Sequence, residues 1–295
     1  MGDPPSGGRF TRIANGSENY WGPLVKNFLF GVALLGALGA APALADDRPI
    51  SRPAPPSATP YSWTGFYLGG EAGQRTVSST WQGNCFEGAG GGCTYLSRPP
   101  TTESLASAGP QLGGFVGYNW QFSPFALLGA ESDIAWGDSK ASLAGGFPGM
   151  VPKFTSPEDR GFESTGWSAS IRGRVGVLPM PGLLIYGAGG VAFQQFSFNA
   201  HCPDDGGSYC GEVHNETASM VRTGYTIGAG VEKAFGGPGG MLDNGPWRVR
   251  AEYRYANFGH FDHMFFNNPG DAFDVIGVSF PLHTQTVQLG LSYGF

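Results

Sequence analysis

Between Trp63 and Phe295 the chain passes through eight segments in which apolar or aromatic side chains alternate with polar or small ones. The links between them alternate just as regularly between short and long. The segments fall at 63–75, 109–121, 124–138, 163–178, 183–198, 220–235, 246–259 and 282–295. A period of two marks strands with one apolar and one polar or small face. The short links "FSPF", "LPMPG" and "FGGPGGMLDNGP" carry the Pro and Gly of tight turns. The others, 76–108, 139–162, 197–219 and 260–281, run from 22 to 33 residues, too long for structureless loops inside a soluble domain. Strict short-long alternation fits an all-β fold: an eight-stranded antiparallel up-and-down transmembrane β-barrel with short periplasmic turns and four long extracellular loops.

The strand faces sharpen this expectation. In 246–259, Trp247, Val249, Ala251, Tyr253 and Tyr255 share one face, and Arg248, Arg250, Glu252 and Arg254 share the other. A slip of one residue would turn three arginines into lipid, so the register is strongly set. Segment 163–178 places Trp167, Ala169, Ile171, Val175 and Val177 against Ser168, Ser170, Arg172 and Arg174; segment 220–235 opposes Val221, Tyr225, Ile227, Ala229 and Val231 to Arg222, Thr226 and Glu232. The same parity turns Glu71, Glu131 and Asp133 inward, whereas 183–198 has no clearly polar face. The inward set holds Glu71, Glu131, Asp133, Glu232 and Glu252 against Arg172, Arg174, Arg222, Arg248, Arg250 and Arg254. Buried charges of nearly equal number predict a salt-bridged lumen filled by the protein's own side chains, because eight strands leave little more room than that. Trp63, Trp120, Phe122, Phe125, Phe235, Trp247 and Phe295 at the turn ends, with Trp136, Trp167, Phe196 and Phe258 at the loop ends, are expected to form two interfacial girdles.

Composition agrees: 50 glycines, 14% aromatic and 14% charged residues suit strands and turns. A net charge of -6 argues against nucleic acid as a partner. Ahead of the barrel, Lys26 precedes an apolar run from Phe28 to Ala41, and Ala43-Leu44-Ala45 precedes Asp46. This is a secretory signal peptide cleaved after Ala45, with the natural start expected near Val25. Residues 1–45 are thus extension plus signal, 46–62 a Pro-rich periplasmic tether, and 63–295 the barrel. In an exported chain the equally spaced pairs Cys85 with Cys93 and Cys202 with Cys210 read as two local loop disulfides, though four cysteines allow three connectivities.

The stretches "WTGFYLGGEAG" (63–73), "GGFVGYNWQF" (113–122), "IRGRVG" (171–176), "IGAGVEKAF" (227–235), "VRAEYRYANFG" (249–259) and "TVQLGLSYGF" (286–295) resemble the small outer-membrane immunogenic proteins of alphaproteobacteria. This is a porin-superfamily branch with an OmpA-like eight-stranded barrel. The ending, with Gln288, Gly290, Tyr293 and Phe295, is similar to the signal read by the outer-membrane barrel-assembly machinery. The resemblance implies an abundant, surface-exposed and often antigenic envelope protein, bringing no catalytic residues; some members have been linked to small pores or hemin binding.

His201, His214, His260, His263 and His283 all lie in or beside the last two long links, with Asp204, Asp205, Glu212, Glu216, Asp262, Asp271 and Asp274 and no Lys or Arg. Such loops can hold a divalent metal or ligate hemin through His260 and His263, or can simply be solvated. No catalytic motif is present, so neither an enzyme nor a cofactor is expected. Expected partners are outer-membrane lipid and lipopolysaccharide, the assembly machinery, and a host or surface ligand at the loops. The leading expectation is a structural and surface-interaction barrel in the cell outer membrane with a plugged lumen; the alternatives are a narrow diffusion pore or a hemin- or metal-binding surface protein.

Overall fold

Alternation becomes strand along nearly all of the described barrel residues. The computed structural model describes residues 61–87, 93–94, 102–144, 160–202, 213–237, 240–241, 243–265 and 276–295. The strands are β1 (Gly65–Glu87), β2 (Cys93–Thr94), β3 (Thr102–Ser123), β4 (Ala126–Ala144), β5 (Arg160–Met180), β6 (Leu183–Cys202), β7 (His214–Phe235), β8 (Trp247–Phe265) and β9 (Ile276–Gly294). Eight long strands pair antiparallel in chain order, and β1 closes the ring on β9, with Tyr67 opposite Gly294. The two-residue β2 only extends the edge of β1. Tight turns join the strands at one end: the β5–β6 turn closes at Met180↔Leu183, with Gly182 at φ +70° where a side chain would be strained. Residues 1–60, where the signal peptide and most of the tether are expected, lie outside the described residues.

The strands are longer than the sequence segments. They run 19 to 23 residues, whereas a tilted crossing of the hydrocarbon needs about 9–11. The excess lies on the long-loop side, so much of each expected long loop is strand. Over the lower half, apolar side chains point outward: Leu68, Leu112, Val116, Ile134, Ile171, Val175, Ile185, Ile227, Val249 and Leu289 are all exposed. Above the level of Trp136, the outer face turns to Ser, Thr and Asn, tied laterally as in Ser197–Ser219 (2.8 Å) and Asn199–Thr217 (2.8 Å). The inner face inverts in step. There Val77, Trp81, Leu105, Phe196, Phe198, Phe258, Phe265, Val278, Phe280 and Leu282 are buried in one cluster. An apolar exterior with a charged interior thus gives way to a polar exterior with an aromatic interior, as expected where a barrel wall leaves lipid for water.

Two ladders stop at this boundary. The β3–β4 pairing ends at Gln111↔Gly137 and the β7–β8 pairing at Tyr225↔Asn257, whereas the other ladders continue upward. Among the described residues, the upper part is therefore two four-stranded sheets, β4-β5-β6-β7 and β8-β9-β1-β3, facing each other. Rings meet across the gap: Phe198 with Phe280 at 4.5 Å and Phe196 with Phe258 at 5.3 Å between centroids. The closed barrel flattens upward into a sandwich over an aromatic core, the arrangement two apolar sheet faces adopt in water. One-residue bulges accompany the change, in β5 between Thr165 and Ser168 and in β8 between Asn257 and His260. Each switches which parity faces inward.

Three expected girdle residues lie elsewhere. Phe196 and Phe258 belong to the aromatic core, because the ladder carries them above the lipid boundary on inward-facing parity. Trp63 is 1% exposed and packs inside the turn end with Leu127, Leu178, Leu184, Tyr186 and Ala234. Trp120, Phe122, Phe125, Trp136 and Trp247 do face outward and are exposed.

Candidate functional site: the lumen

The lumen contains three stacked layers. At the turn end lies the apolar cluster around Trp63. Arg248 borders it: its guanidinium lies 4.9 Å from the Trp63 ring centroid, and its Nε donates to Tyr61 Oη at 3.1 Å.

The middle layer is ionic and centres on Glu131, 2% exposed. Its Oε1 accepts from Arg172 Nη2 at 2.5 Å, and its Oε2 accepts from Arg250 Nη1 (2.7 Å), Arg174 Nη1 (3.0 Å) and Tyr67 Oη (2.9 Å). Each arginine holds a second carboxylate: Arg172 to Glu252 (2.7 Å), Arg174 to Glu232 (2.6 Å) and Arg250 to Glu71. Arg254 bridges Asp133 (2.8 Å) and Glu252 (3.0 Å). Most of these pairs join strands that are not neighbours, such as β8 to β4, so they act as spokes across the ring. Low dielectric makes such pairs mutually dependent, since losing one ion strands the others. Aromatic rings cover the guanidinium faces, with Arg250 3.5 Å from the Phe115 centroid and Arg174 4.0 Å from that of Tyr186. Tyr186 Oη also donates to Glu252 Oε2 at 2.6 Å, which settles the inner face of β6 left open by its sequence. Two glycines make room: a Cβ on Gly117 would lie 2.2 Å from Tyr67 Oη, and one on Gly230 would lie 2.6 Å from Tyr186 Oη.

Of the eleven charges expected inside, nine form this network. Arg248 stands below it, and Arg222 lies in the upper part, where it donates to the carbonyl of His260 at 2.8 Å and lies over the Phe261 ring. The structure adds two charges that the expected inward set omits, Arg75, which shares the parity of Glu71, and Glu163. Arg75 is buried and donates to Gln111 (2.8 Å), Gly166 O (3.0 Å) and Ser168 Oγ (3.1 Å). Glu163 is buried against Ser79 Oγ, without an ion pair among the described residues, and burial pushes its carboxyl up. Glu163 faces inward only because the β5 bulge reverses parity, and no local pattern signals that reversal. The third layer is the aromatic core of the two sheets.

The terminal residues divide between the faces. Gln288 points inward and donates to Glu71 at 2.9 Å, and Gly290 lies against Arg250 and Phe115. Tyr293 and Phe295 face outward, the latter 77% exposed with its N–H donating to Phe66 O at 2.9 Å. His263 pairs with Glu216 at 3.2 Å, and the His260 ring is exposed. No cluster of three or more metal-ligating side chains occurs among the described residues. Cys210 and the side chains of Cys85, Cys93 and Cys202 lie outside the description, as do Asp204, Asp205, Glu212, Asp271 and Asp274.

Among known proteins, the 31 kDa outer-membrane immunogenic protein of Brucella melitensis biotype 1 is 29% identical over 269 residues, covering 90% of this chain and 98% of that protein. A 22 kDa outer membrane protein of Rhizobium leguminosarum bv. viciae is 29% identical over 197 residues, covering 67% of this chain and 65% of that one. The solved structure of the outer membrane protein OprG from Pseudomonas aeruginosa aligns over 79% of this chain and 97% of that one, at 12% identity and a TM-score of 0.41. The family described as outer membrane protein beta-barrel domain matches residues 30–295. With the closed ring and its apolar outer belt, this match places the protein in the cell outer membrane, and the chain belongs to the outer membrane protein beta-barrel family.

Proposed function

We propose that the protein is a non-enzymatic structural and surface-interaction barrel with a sealed lumen. The observation that carries this reading is the stack of three buried layers, apolar, ionic and aromatic, in which side chains from all eight long strands meet across the ring. A diffusion pathway would have to part all three. The outer belt meets lipid and lipopolysaccharide, and the sheets above it raise the long loops off the membrane as a scaffold for recognition. Surface display is supported by the immunogenic designation of the Brucella relative. The last strand, with Gln288 and Gly290 inward and Tyr293 and Phe295 outward, is what the barrel-assembly machinery reads.

Planar-bilayer recording of the refolded mature protein tests the seal. Baseline current with no ohmic steps is expected. Stable steps that shrink when Gly228 is replaced by leucine would instead establish a narrow pore.

A further inference from the structure

The outer wall is dented where it leaves the membrane. Across β4, β5 and β6 the ladders slip at one level, between Trp136 and Ser139 on β4 and between Thr165 and Ser168 on β5. Slips of this kind bend the strands that carry them. They leave a groove of about 580 Å³ on the outside of the barrel, lined by Trp136, Asp138, Ser164, Trp167, Gln195 and Ser197. Gly166 lets the Gln195 amide lie over the wall, since a Cβ there would come within 2.6 Å of the Gln195 Oε1. Trp136 and Trp167 are ladder partners and supply indole rings, around which stand the amide and two hydroxyls. At the rim the Asp138 carboxylate pairs with the Lys140 ammonium at 2.7 Å. Flat rings among amide, hydroxyl and carboxylate groups match a sugar, which has apolar C–H faces and an edge of hydroxyls. The ammonium beside them matches a phosphate.

The height of the groove decides which sugar. Trp136 marks the level at which the outer face changes from apolar to polar side chains, so a saccharide held here has the hydrocarbon belt beneath it: Ile134, Ile171 and Val191 are exposed just below. Lower on the same three strands lies a second groove, walled by Leu128 and Val175. Its floor is bare backbone, because a Cβ on Gly173, Gly187 or Gly189 would meet nothing closer than 3.5 Å. Such a slot lets a hydrocarbon chain lie against the wall at van der Waals distance. A ligand with a phosphorylated sugar at the upper groove and an acyl chain at the lower one is a glycolipid of the outer leaflet. We propose that β4, β5 and β6 hold one molecule of lipopolysaccharide, with a headgroup sugar on Trp136 and Trp167, its phosphate at Lys140 and one acyl chain in the glycine slot. This rests on the lipid contact of the outer belt described above and turns one part of that contact into a specific site.

The test is native mass spectrometry of the full mature protein, released from detergent micelles after titration with three probes. These are rough-type lipopolysaccharide, the same molecule with its acyl chains removed, and phosphatidylglycerol, which has acyl chains and a phosphate but no sugar ring. One equivalent of lipopolysaccharide is expected to stay bound, at least about tenfold more tightly than either other probe. Replacing both rings, Trp136→Ala with Trp167→Ala, or filling the slot, Gly187→Leu, is each expected to weaken it by about tenfold. Trp120→Ala, exposed on the outer wall at the turn end, is expected to leave it unchanged. Phosphatidylglycerol bound as tightly, or lipopolysaccharide adding without saturation at one equivalent, would overturn the proposal, because the belt would then be coated without selection. Deacylated saccharide bound as tightly would overturn it as well, and so would groove and slot variants that bind like the wild type. Lipid retention is read without current, so a conducting lumen would undo the sealed-barrel reading and leave this site standing, while loss of lipid selectivity would do the reverse.

Discussion

Replacing Glu131 with glutamine is the sharpest probe of the ionic layer. The substitution keeps the shape but removes the single anion on which three guanidiniums converge. Arg174 and Arg250 each keep one other carboxylate and Arg172 keeps two, Glu252 and Asp133, yet the new amide turns an N–H toward donors and cannot accept from all of them. Breaking a buried ion pair from one side costs about 3–5 kcal/mol. Glu71 lies at the margin of the same layer with one arginine, Arg250, and one amide, Gln288. Glu71→Gln should therefore cost only about 1–3 kcal/mol, the loss of a single charged hydrogen bond. With a guanidinium m-value of about 5 kcal/mol/M for a chain of this size, Glu131→Gln should lower the unfolding midpoint by roughly 0.6–1 M. The assay is tryptophan fluorescence during reversible unfolding in detergent or liposomes. A double-mutant cycle with Arg250→Gln should show coupling of more than about 1 kcal/mol. If Glu131→Gln destabilises no more than Glu71→Gln, the picture of spokes centred on Glu131 is wrong.

Other consequences follow from the same geometry. Glu163 has a raised folded-state pKa, so the folded protein holds a proton that the unfolded chain releases at lower pH. Stability should decline as pH rises from the unfolded carboxyl value through the folded one, and Glu163→Gln should flatten that slope in pH-dependent melts. In single-tryptophan variants, brominated lipid should quench Trp120, Trp136 and Trp247 on the outer face but spare Trp63 and Trp81 inside the ring; equal quenching of Trp63 would contradict its inward placement. Removing Phe295 should reduce insertion into the outer membrane while leaving signal cleavage and export unchanged, which fractionation of expressing cells would show.

Strand number, antiparallel order and the faces within the membrane were legible in the amino-acid pattern alone. Period-two alternation is a local property, and lipid outside with charge inside makes a one-residue error costly wherever arginines such as Arg248 and Arg250 recur. It also supplied most of the ionic layer, because residues of one parity on strands of known direction must share the lumen. It could not say which carboxylate would be central: that Glu131 gathers Arg172, Arg174 and Arg250 depends on the stagger between strands and on holes such as Gly117.

The extracellular half was decided by the tertiary structure. In "RTVSSTW" Val77, Ser79 and Trp81 face inward while Thr76, Ser78 and Thr80 face outward, a pattern that lacks the apolar outer face of a strand in lipid and so resembles a loop in sequence. Bulges in β5 and β8 then reversed parity, bringing Glu163 inside and aligning Phe261 and Phe265 with the core. Where the wall leaves the bilayer, the solvent on its outer face changes from hydrocarbon to water. The same chain then gains most by burying aromatics between two sheets, and the ring opens along β3–β4 and β7–β8 to do so. That opening depends on contacts between residues far apart in sequence, which no single segment records.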